Sequence, residues 1–138
     1  MAADALSRER LAERARSYLA SFADGDPDAI VAHVTAGFIN DHASALGAGC
    51  TGRDEYQRRL PAFLASMPGL RYEPGEPIVD APRVAMPYTL RAQGSTPAGD
   101  RVPVTVRGVM LLRFDGELIA ERIDVWDALT YLRQIGEA

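Results

Sequence analysis

The sequence of 138 residues contains a single cysteine, Cys50, so no disulfide can form within the chain. Such a cysteine is most simply a small inert side chain, because a nucleophilic thiol needs a nearby base and a lowered pKa. No apolar run approaches the roughly 20 residues that a membrane-spanning helix requires. The N-terminal residues also lack the hydrophobic core of a signal peptide. We therefore expect a cytoplasmic protein that does not associate with a membrane.

Basic segments are also missing, since the formal net charge is −4 and acidic and basic residues interleave along the chain. This balance argues against nucleic acid as a partner. No spacing of His, Cys, Asp and Glu suggests a metal site, and the sequence has neither a glycine-rich phosphate loop nor a G-x-S-x-G motif. We therefore predict no metal and no cofactor. The length and composition fit one globular domain over residues 1–138.

Helical patterns occupy the beginning of the chain. A helix is predicted from Ser7 onward and should end near Gly25, which is a favourable residue at a helix C-terminus. Asp26 and Pro27 then predict a second, short helix that extends to about Val34, with Asp26 as its N-cap. The first helix carries one apolar stripe at helical spacing, which consists of Leu11, Ala15, Tyr18, Leu19 and Phe22.

The middle of the chain combines an irregular segment with a third helix. Residues 37–52 are predicted to be irregular, apart from a short strand at Phe38-Ile39. Thr51-Gly-Arg-Asp54 resembles a capping box with Asp in place of Glu. Pro61 lies within the helix that follows and should kink or split it. One face of this helix is apolar and contains Tyr56, Leu60, Phe63, Leu64 and Met67.

Strand patterns dominate the second half. Residues 70–79 form a moderate strand pattern, and Pro87 indicates an edge or a bulge within the next strand. Asp115-Gly116 predicts a hairpin between the last two strands. The final strand spans 117–126, and a short helix follows over 127–135. Two stretches alternate clearly, with Val84, Met86, Tyr88 and Leu90 on one face of the first, and Val102, Val104, Val106, Met110, Leu112 and Phe114 on one face of the second.

This order of helices followed by consecutive antiparallel strands predicts the α+β class, with helices packed against one face of a curved sheet. A curved sheet can leave a cavity between its concave face and the helices. Ligand sites prefer such concave, mostly apolar places. We therefore expect a pocket for a small apolar molecule.

Asp124 is the first candidate for chemistry in that pocket. It lies two residues before Trp126, so both side chains project from one face of the last strand. In an apolar pocket Asp124 would act as a general acid or base. Two other interpretations remain open, namely an acid that faces solvent near the sheet edge and an acid paired with an arginine. Strict alternation groups Asp124 with Leu118, Ala120, Arg122 and Trp126, and the opposite face is the more apolar.

Asp41-His42 is the second candidate, because it lies where the helices give way to the irregular segment. His42 can act as a base near neutral pH, or it can be a hydrogen-bonded loop residue. His33 is expected to be structural or exposed.

Tyrosine hydroxyls and large apolar side chains complete the predicted pocket. Tyr18, on the inward stripe of the first helix, and Tyr88 can each donate a hydrogen bond to a developing enolate oxygen. The alternative is ordinary core packing. The predicted apolar walls are Trp126, Met86, Phe38, Phe63 and Met110.

Three stretches make the sequence similar to the SnoaL-like branch of the nuclear transport factor 2-like superfamily. They are Tyr18–Val31, Phe38–Tyr56 and Gly116–Gly136. The resemblance implies a cone-shaped α+β barrel with one deep pocket, often as a homodimer packed through its sheets. It also implies activities such as polyketide cyclisation, ketosteroid isomerisation and epoxide hydrolysis, or ligand binding without catalysis.

The resemblance can be carried over residue by residue. Asp124 resembles the acid–base aspartate that SnoaL-like cyclases carry on their last long strand. Tyr18 resembles the oxyanion-hole tyrosine of the ketosteroid isomerases. Their base is an aspartate and their second oxyanion donor is a strand acid, and the corresponding positions here fall near His42 and Met110. These differences argue against that chemistry. The limonene epoxide hydrolases have an Arg-x-Asp on an earlier strand, which reads Met86-Pro-Tyr88 here. That difference argues against epoxide hydrolysis.

The leading hypothesis is therefore a pocket enzyme in which Asp124 moves a proton on a carbon next to a carbonyl. His42, Tyr18 or Tyr88 would then hydrogen-bond the enolate oxygen. The alternative is a non-catalytic module of the same fold that binds an apolar ligand.

Overall fold

The computed structural model describes residues 7–43 and 46–138. The α-helices of this part of the chain are α1 (Arg8–Ser21), α2 (Pro27–Val31), α3 (Arg53–Ser66) and α4 (Ala128–Gln134), and a 3-10 turn (Phe22–Asp24) follows α1. Its strands are β1 (Val34–His42), β2 (Cys50–Thr51), β3 (Arg71–Pro74), β4 (Ile78–Asp80), β5 (Arg83–Ser95), β6 (Arg101–Asp115) and β7 (Leu118–Trp126).

The strands form one open sheet in the order β2-β1-β7-β6-β5-β3, and β4 pairs with β5 beside β3. Most neighbours are antiparallel, but β1 and β7 run parallel. The core lies between the helices and the inner face of this curved sheet. The predicted α+β class is therefore confirmed. No helix of the described ranges is both long and apolar enough to cross a membrane.

The first helix follows the prediction closely. Ser7 is its N-cap, and the Ser7 side chain accepts a hydrogen bond from the Arg10 backbone N–H at 3.0 Å. All members of the predicted apolar stripe are buried. Asp26 caps α2 in the same way and Pro27 is its first residue, because a proline there needs no hydrogen-bond partner for its nitrogen.

The region after α2 differs from the prediction. Helix α2 ends at Val31, and Val34 begins a strand of nine residues in a segment predicted to be mostly irregular. The reason is a register shift between Val34 and Ile39, which breaks the period-2 pattern on which a sequence-based assignment depends. Beyond the shift the alternation returns, with Phe38 and Asn40 buried.

Neither the capping box predicted for α3 nor a split at Pro61 occurs in the structure. Gly52 occupies the N-cap position with no side-chain hydrogen bond, so the predicted capping box does not form. Pro61 does not split the helix, which continues from Arg53 to Ser66. Pro61 is exposed to solvent, so the carbonyl group that loses its partner can be hydrated. The predicted apolar face does pack inward, with Tyr56 and Leu60 buried.

Pro87 lies in an interior strand, next to an interruption in the neighbouring one. Strand β3 pairs with β5 up to Pro74↔Tyr88, and β4 begins at Ile78↔Ala85. The Pro87 carbonyl accepts a hydrogen bond from the Gly75 N–H at 2.7 Å, so its nitrogen also faces this gap. A missing N–H therefore removes no bond of the sheet there.

Candidate functional site

A β-bulge determines which side chains of β7 enter the interior. Glu121 pairs with Arg113 and Ile119 pairs with Phe114, so Ala120 has no partner across the strands. The extra residue reverses the alternation. Ile119 therefore shares the inner face with Asp124, and the prediction that Leu118 and Ala120 do so is wrong. Ile119 is fully buried.

Asp124 is buried in an ion pair. Its side chain and that of Arg122 are each 4% exposed, and Arg122 Nη2 donates to Asp124 Oδ2 at 2.6 Å. The Tyr88 hydroxyl donates to the other carboxylate oxygen, also at 2.6 Å. The interpretation of Asp124 as a solvent-facing acid is therefore wrong, and the alternative of an arginine partner is confirmed.

Arg122 continues this chain of hydrogen bonds toward the helices. Its Nη1 donates to the Tyr18 hydroxyl at 2.9 Å and to the Tyr56 hydroxyl at 3.4 Å. The two hydroxyls also bond to each other at 2.6 Å. Burial opposes the charge of the guanidinium, but Tyr18, Asp124 and Tyr56 outweigh that effect and raise the pKa of Arg122. Arg122 is thus a permanent buried cation.

Gly108 provides the space through which Tyr88 reaches Asp124. Gly108 pairs with Tyr88 on one side and Trp126 on the other. A Cβ atom on Gly108 would lie 2.4 Å from the Tyr88 hydroxyl oxygen and 2.8 Å from the Val125 carbonyl oxygen. A side chain at position 108 is therefore incompatible with the hydrogen bond between Tyr88 and Asp124.

Gly108→Ala is expected to destabilise the protein by about 1–3 kcal/mol, because both neighbours of the added methyl group are held in the sheet. Urea unfolding measures this change. Gly37→Ala is the matched control, since a Cβ on this strand glycine meets nothing within 4 Å. Equal stability of the two variants would contradict the role assigned to Gly108.

His42 and Asn40 lie beside the ion pair on the neighbouring strand. Parallel pairing sets Asn40 next to Arg122 and His42 next to Asp124. Burial, and secondarily Arg122, lowers the pKa of His42 despite the opposing effect of Asp124. His42 is therefore a neutral imidazole near pH 7.

These groups open into a cavity of about 410 Å³ between the sheet and α3. Leu46, Ala48, Arg59 and Ser66 are exposed and stand at its mouth. Most other lining side chains are apolar or aromatic. The cavity is lined by His42, Leu46, Gly47, Ala48, Arg59, Phe63, Ser66, Met67, Tyr72, Tyr88, Leu90, Val106, Arg122, Asp124, Trp126 and Tyr131.

Half of the predicted site residues meet in this cavity. The five that line it are Asp124, His42, Tyr88, Trp126 and Phe63. Tyr18 lies behind Arg122 and reaches the site only through its hydroxyl. Three predicted wall residues are fully buried in the core and do not line the cavity, namely Met86, Met110 and Phe38.

The remaining proposed site residue, Asp41, lies elsewhere. Asp41 is exposed and does not line the cavity, because it projects from the opposite face of β1 to Asn40 and His42. His33 is structural, as predicted, since its ring nitrogens bond to the Ser17 hydroxyl at 2.9 Å and to the Ala29 carbonyl at 3.0 Å.

The sequence-based prediction missed Arg122, Asn40 and Tyr72 as site residues. Arg122 had a usable signal, because an arginine two residues before Asp124 shares its face of the strand. The epoxide hydrolase pattern has an arginine near the position of Met86. In this chain the arginine that pairs with Asp124 is Arg122, which lies on the same strand as Asp124. Asn40 gave no such signal, since its position depends on the pairing of β1 with β7.

The same fold occurs in several solved structures. A protein of ketosteroid isomerase-like fold from Catenulispora acidiphila, solved with trimethylamine, has a TM-score of 0.81 at 20% identity and covers 91% of this chain and 94% of its own. A SnoaL-like polyketide cyclase candidate from Shewanella denitrificans has a TM-score of 0.81 at 16% identity, and the match covers 93% of this chain and 98% of its own. The BvnE pinacolase from Penicillium brevicompactum has a TM-score of 0.77 at 22% identity, and the match covers 94% of this chain and 91% of its own.

At these identities the likeness establishes the fold alone. No protein of curated function is significantly similar in sequence. The family model of the SnoaL-like domain, however, matches residues 15–122, which is most of the chain. This match includes the second half of α1, the first strand and the sheet up to Arg122. The chain therefore belongs to the SnoaL-like domain family, with the nuclear transport factor 2-like fold.

Proposed function

We propose that the protein is an enzyme that moves a proton on a carbon next to the carbonyl group of a small, largely apolar molecule. Cyclisation and isomerisation are the reaction classes that this step serves. The observation that carries the proposal is the Asp124–Arg122 pair, which borders a mostly apolar cavity although both side chains are almost completely buried. Buried charged groups that border a cleft are typical of functional sites.

In the proposed step the Asp124 carboxylate accepts the proton from the carbon. The electron pair of the C–H bond forms a C=C bond, and the π electrons of the carbonyl move onto its oxygen to give an enolate. Negative charge thus passes from Asp124 to the substrate. Arg122 stays beside both, so the cation is paired before and after the transfer. A fixed, buried charge of this kind stabilises a developing anion without reorganisation.

The tyrosines divide between two roles. Tyr88 and Tyr18 hold Asp124 and Arg122 through hydrogen bonds, so they are positioning residues. Tyr72 lines the cavity beside them. Burial raises the pKa of Tyr72, so its hydroxyl stays protonated and can donate to the enolate oxygen. We assign Tyr72 the role of enolate donor that the sequence suggested for Tyr18 or Tyr88.

The structural relatives support a reaction on a carbon skeleton, since they include a pinacolase and a polyketide cyclase candidate. All the chemistry of the proposed step comes from side chains, so it needs no cofactor. The apolar lining favours a substrate with a hydrophobic body.

The test measures hydrogen–deuterium exchange next to the carbonyl, because exchange reports proton abstraction whatever the later steps are. Aromatic polyketide-like, steroid and terpenoid ketones are incubated with the protein in D₂O, and the α-proton signals are followed by NMR. We expect one class to exchange faster with the protein than in buffer alone. No acceleration for ketones shown to bind would contradict the proposal.

A specific observation favours a second candidate, which is a non-catalytic binding module. Both Asp124 oxygens already accept a hydrogen bond, one from Arg122 and one from Tyr88. The protein itself therefore engages the whole carboxylate, and this arrangement can support the cavity wall without any proton transfer. Binding without exchange would identify this function.

We also propose that the protein forms a homodimer through the outer face of its sheet. Leu111 and Val125 are 42% and 46% exposed there, on adjacent strands. Ile123 and Val109 pair with these two residues and extend the apolar surface across both strands. Contiguous apolar surface of this kind marks interaction sites.

Val125→Glu with Leu111→Glu is expected to convert a dimer into a monomer, because two like-charged patches would face each other across a twofold axis. Light scattering coupled to size-exclusion chromatography measures the mass. Leu46→Glu is the control, since Leu46 is 48% exposed but lies at the cavity mouth. A monomeric wild-type protein would contradict this interface.

A further inference from the structure

A second, smaller pocket of about 100 Å³ adjoins the main cavity. The two spaces share His42, Ala48, Arg59, Phe63 and Arg122 as walls, so they lie side by side. We call the smaller space the inner pocket. Its remaining walls are Phe22, Asn40, Cys50, Tyr56 and Leu60.

Gly47 and Gly49, between β1 and β2, pack tightly against β1 beside this pocket. A Cβ atom on Gly47 would lie 2.0 Å from the Cβ of His42. A Cβ atom on Gly49 would lie 2.5 Å from the Asn40 carbonyl oxygen. Only glycine therefore fits at these two positions beside β1 without a shift of its neighbours.

Three residues that line the inner pocket each carry a buried polar atom with no hydrogen-bond partner within residues 7–43 and 46–138. These atoms are Asn40 Oδ1, His42 Nδ1 and Arg122 Nε. Asn40 and Arg122 are 8% and 4% exposed, and they are adjacent in the β1–β7 pairing. Buried polar groups are almost always hydrogen-bonded, and an unsatisfied one costs about 1–3 kcal/mol. Three such atoms on one small pocket therefore point to a polar group that enters it.

The chemistry of the three atoms restricts that group. Asn40 Oδ1 is an acceptor and needs a donor, whereas Arg122 Nε–H is a donor and needs an acceptor. Neutral His42 can carry its proton on Nδ1 and donate as well. A hydroxyl group has one donor and two acceptor lone pairs, so its hydrogen-bonding capacity matches these three atoms. A carbonyl oxygen or a carboxylate can only accept, and it would leave Asn40 Oδ1 unpaired.

We propose that the inner pocket recognises a hydroxyl group, phenolic or enolic, on the ligand whose apolar body fills the main cavity. The volume of about 100 Å³ admits a hydroxyl with the carbon that carries it and a few further atoms. The apolar walls formed by Phe22, Leu60 and Phe63 accept the edge of a ring. This inference rests on the proposed function, because it takes the main cavity as the substrate site, and it names the substrate class as hydroxylated carbonyl compounds.

Binding of three matched probes tests the proposal. 1-Naphthol carries the hydroxyl, 1-tetralone presents a carbonyl at the same position, and 1-methylnaphthalene carries neither. The indole N–H resonance of Trp126, the single tryptophan of the chain, lies at the main cavity and reports occupancy by NMR. We expect 1-naphthol to bind about tenfold more tightly than either of the other two, since a site built for a hydroxyl discriminates against analogues that lack it.

Asn40→Leu removes the acceptor and keeps the approximate size of the side chain. In this variant 1-naphthol and 1-tetralone should bind within about twofold of each other, because one lost hydrogen bond corresponds to about a tenfold change. Met67→Leu is the matched control in the main cavity and should change the affinities of all probes equally. A preference for 1-naphthol that persists in Asn40→Leu would overturn the assignment.

A measurement on the wild-type protein keeps the test valid if Asn40→Leu does not fold. 1-Methoxynaphthalene retains the acceptor oxygen of 1-naphthol and loses its donor, so it should bind as weakly as 1-tetralone. Equal affinities for all probes would mean that the pocket holds only water and would overturn the inference. Exchange of α-protons is measured separately, so the proposed function can stand when the inner-pocket assignment fails, and the reverse also holds.

Discussion

Replacing Asp124 by asparagine is expected to lower the protein-catalysed rate of α-proton exchange by a factor of roughly 10²–10⁴, the usual contribution of a general base. Asparagine has nearly the same shape, its Oδ1 can still accept a hydrogen bond from Arg122, and its NH2 group can donate to the Tyr88 hydroxyl oxygen. Its amide, however, does not accept a proton at neutral pH. Ligand affinity should therefore change much less than the exchange rate. NMR exchange rates and titrations on the same samples measure both quantities.

Asp41→Asn is the matched control for this substitution. Asp41 lies on the adjacent strand, paired with Ile123, but it is exposed and outside the cavity. Exchange should be unchanged in this variant. Because Asp124→Asn leaves the Arg122 charge unpaired, thermal unfolding must show that the variant is folded at the assay temperature. Full exchange activity in a folded Asp124→Asn protein would exclude Asp124 as the base and direct attention to His42.

Replacing Arg122 by methionine is expected to reduce the free energy of unfolding by about 3–5 kcal/mol, because it leaves a buried carboxylate without its cation. The Tyr18 and Tyr56 hydroxyls also lose their shared donor. This is a large part of the stability of a domain of this size, which is typically about 5–15 kcal/mol. Urea unfolding at neutral pH measures the change.

Two further variants separate the buried pair from ordinary surface charge. Arg113→Met breaks the ion pair with Glu121 at 3.6 Å on the outer face, where the side chains are 41% and 32% exposed. It should cost less than about 1 kcal/mol. The double variant Arg122→Met with Asp124→Leu should recover part of the loss, since an apolar pair avoids the unpaired charge. A single Arg122→Met variant as stable as Arg113→Met would contradict the buried ion pair.

Local patterns in the sequence predicted most of the fold. The apolar stripe of α1, the cap at Asp26 and the alternation in β5 and β6 all depend on residues close together in the chain. The Asp115-Gly116 turn also follows the prediction, with Gly116 at a φ of 62° that favours glycine. These features are fixed by periods and turn preferences that a short segment contains in full.

The candidate site could be predicted only in part, for a physical reason that Asp124 illustrates. Its shared face with Trp126 follows from strand geometry alone. Whether that face points inward depends on the bulge at Ala120, which is set by the register of β7 against β6. A shift of one residue reverses the face of every side chain beyond it. Strict alternation therefore favoured the wrong side for Asp124.

The sequence by itself determined the α+β class, the principal helices and strands, and Asp124 as the acid to consider. Only the tertiary structure decided that Arg122 is its buried partner and that Asn40 and His42 stand beside this pair. The parallel pairing of β1 with β7 joins residues about eighty positions apart. No local pattern encodes that contact, because it forms only when the sheet assembles around the helices.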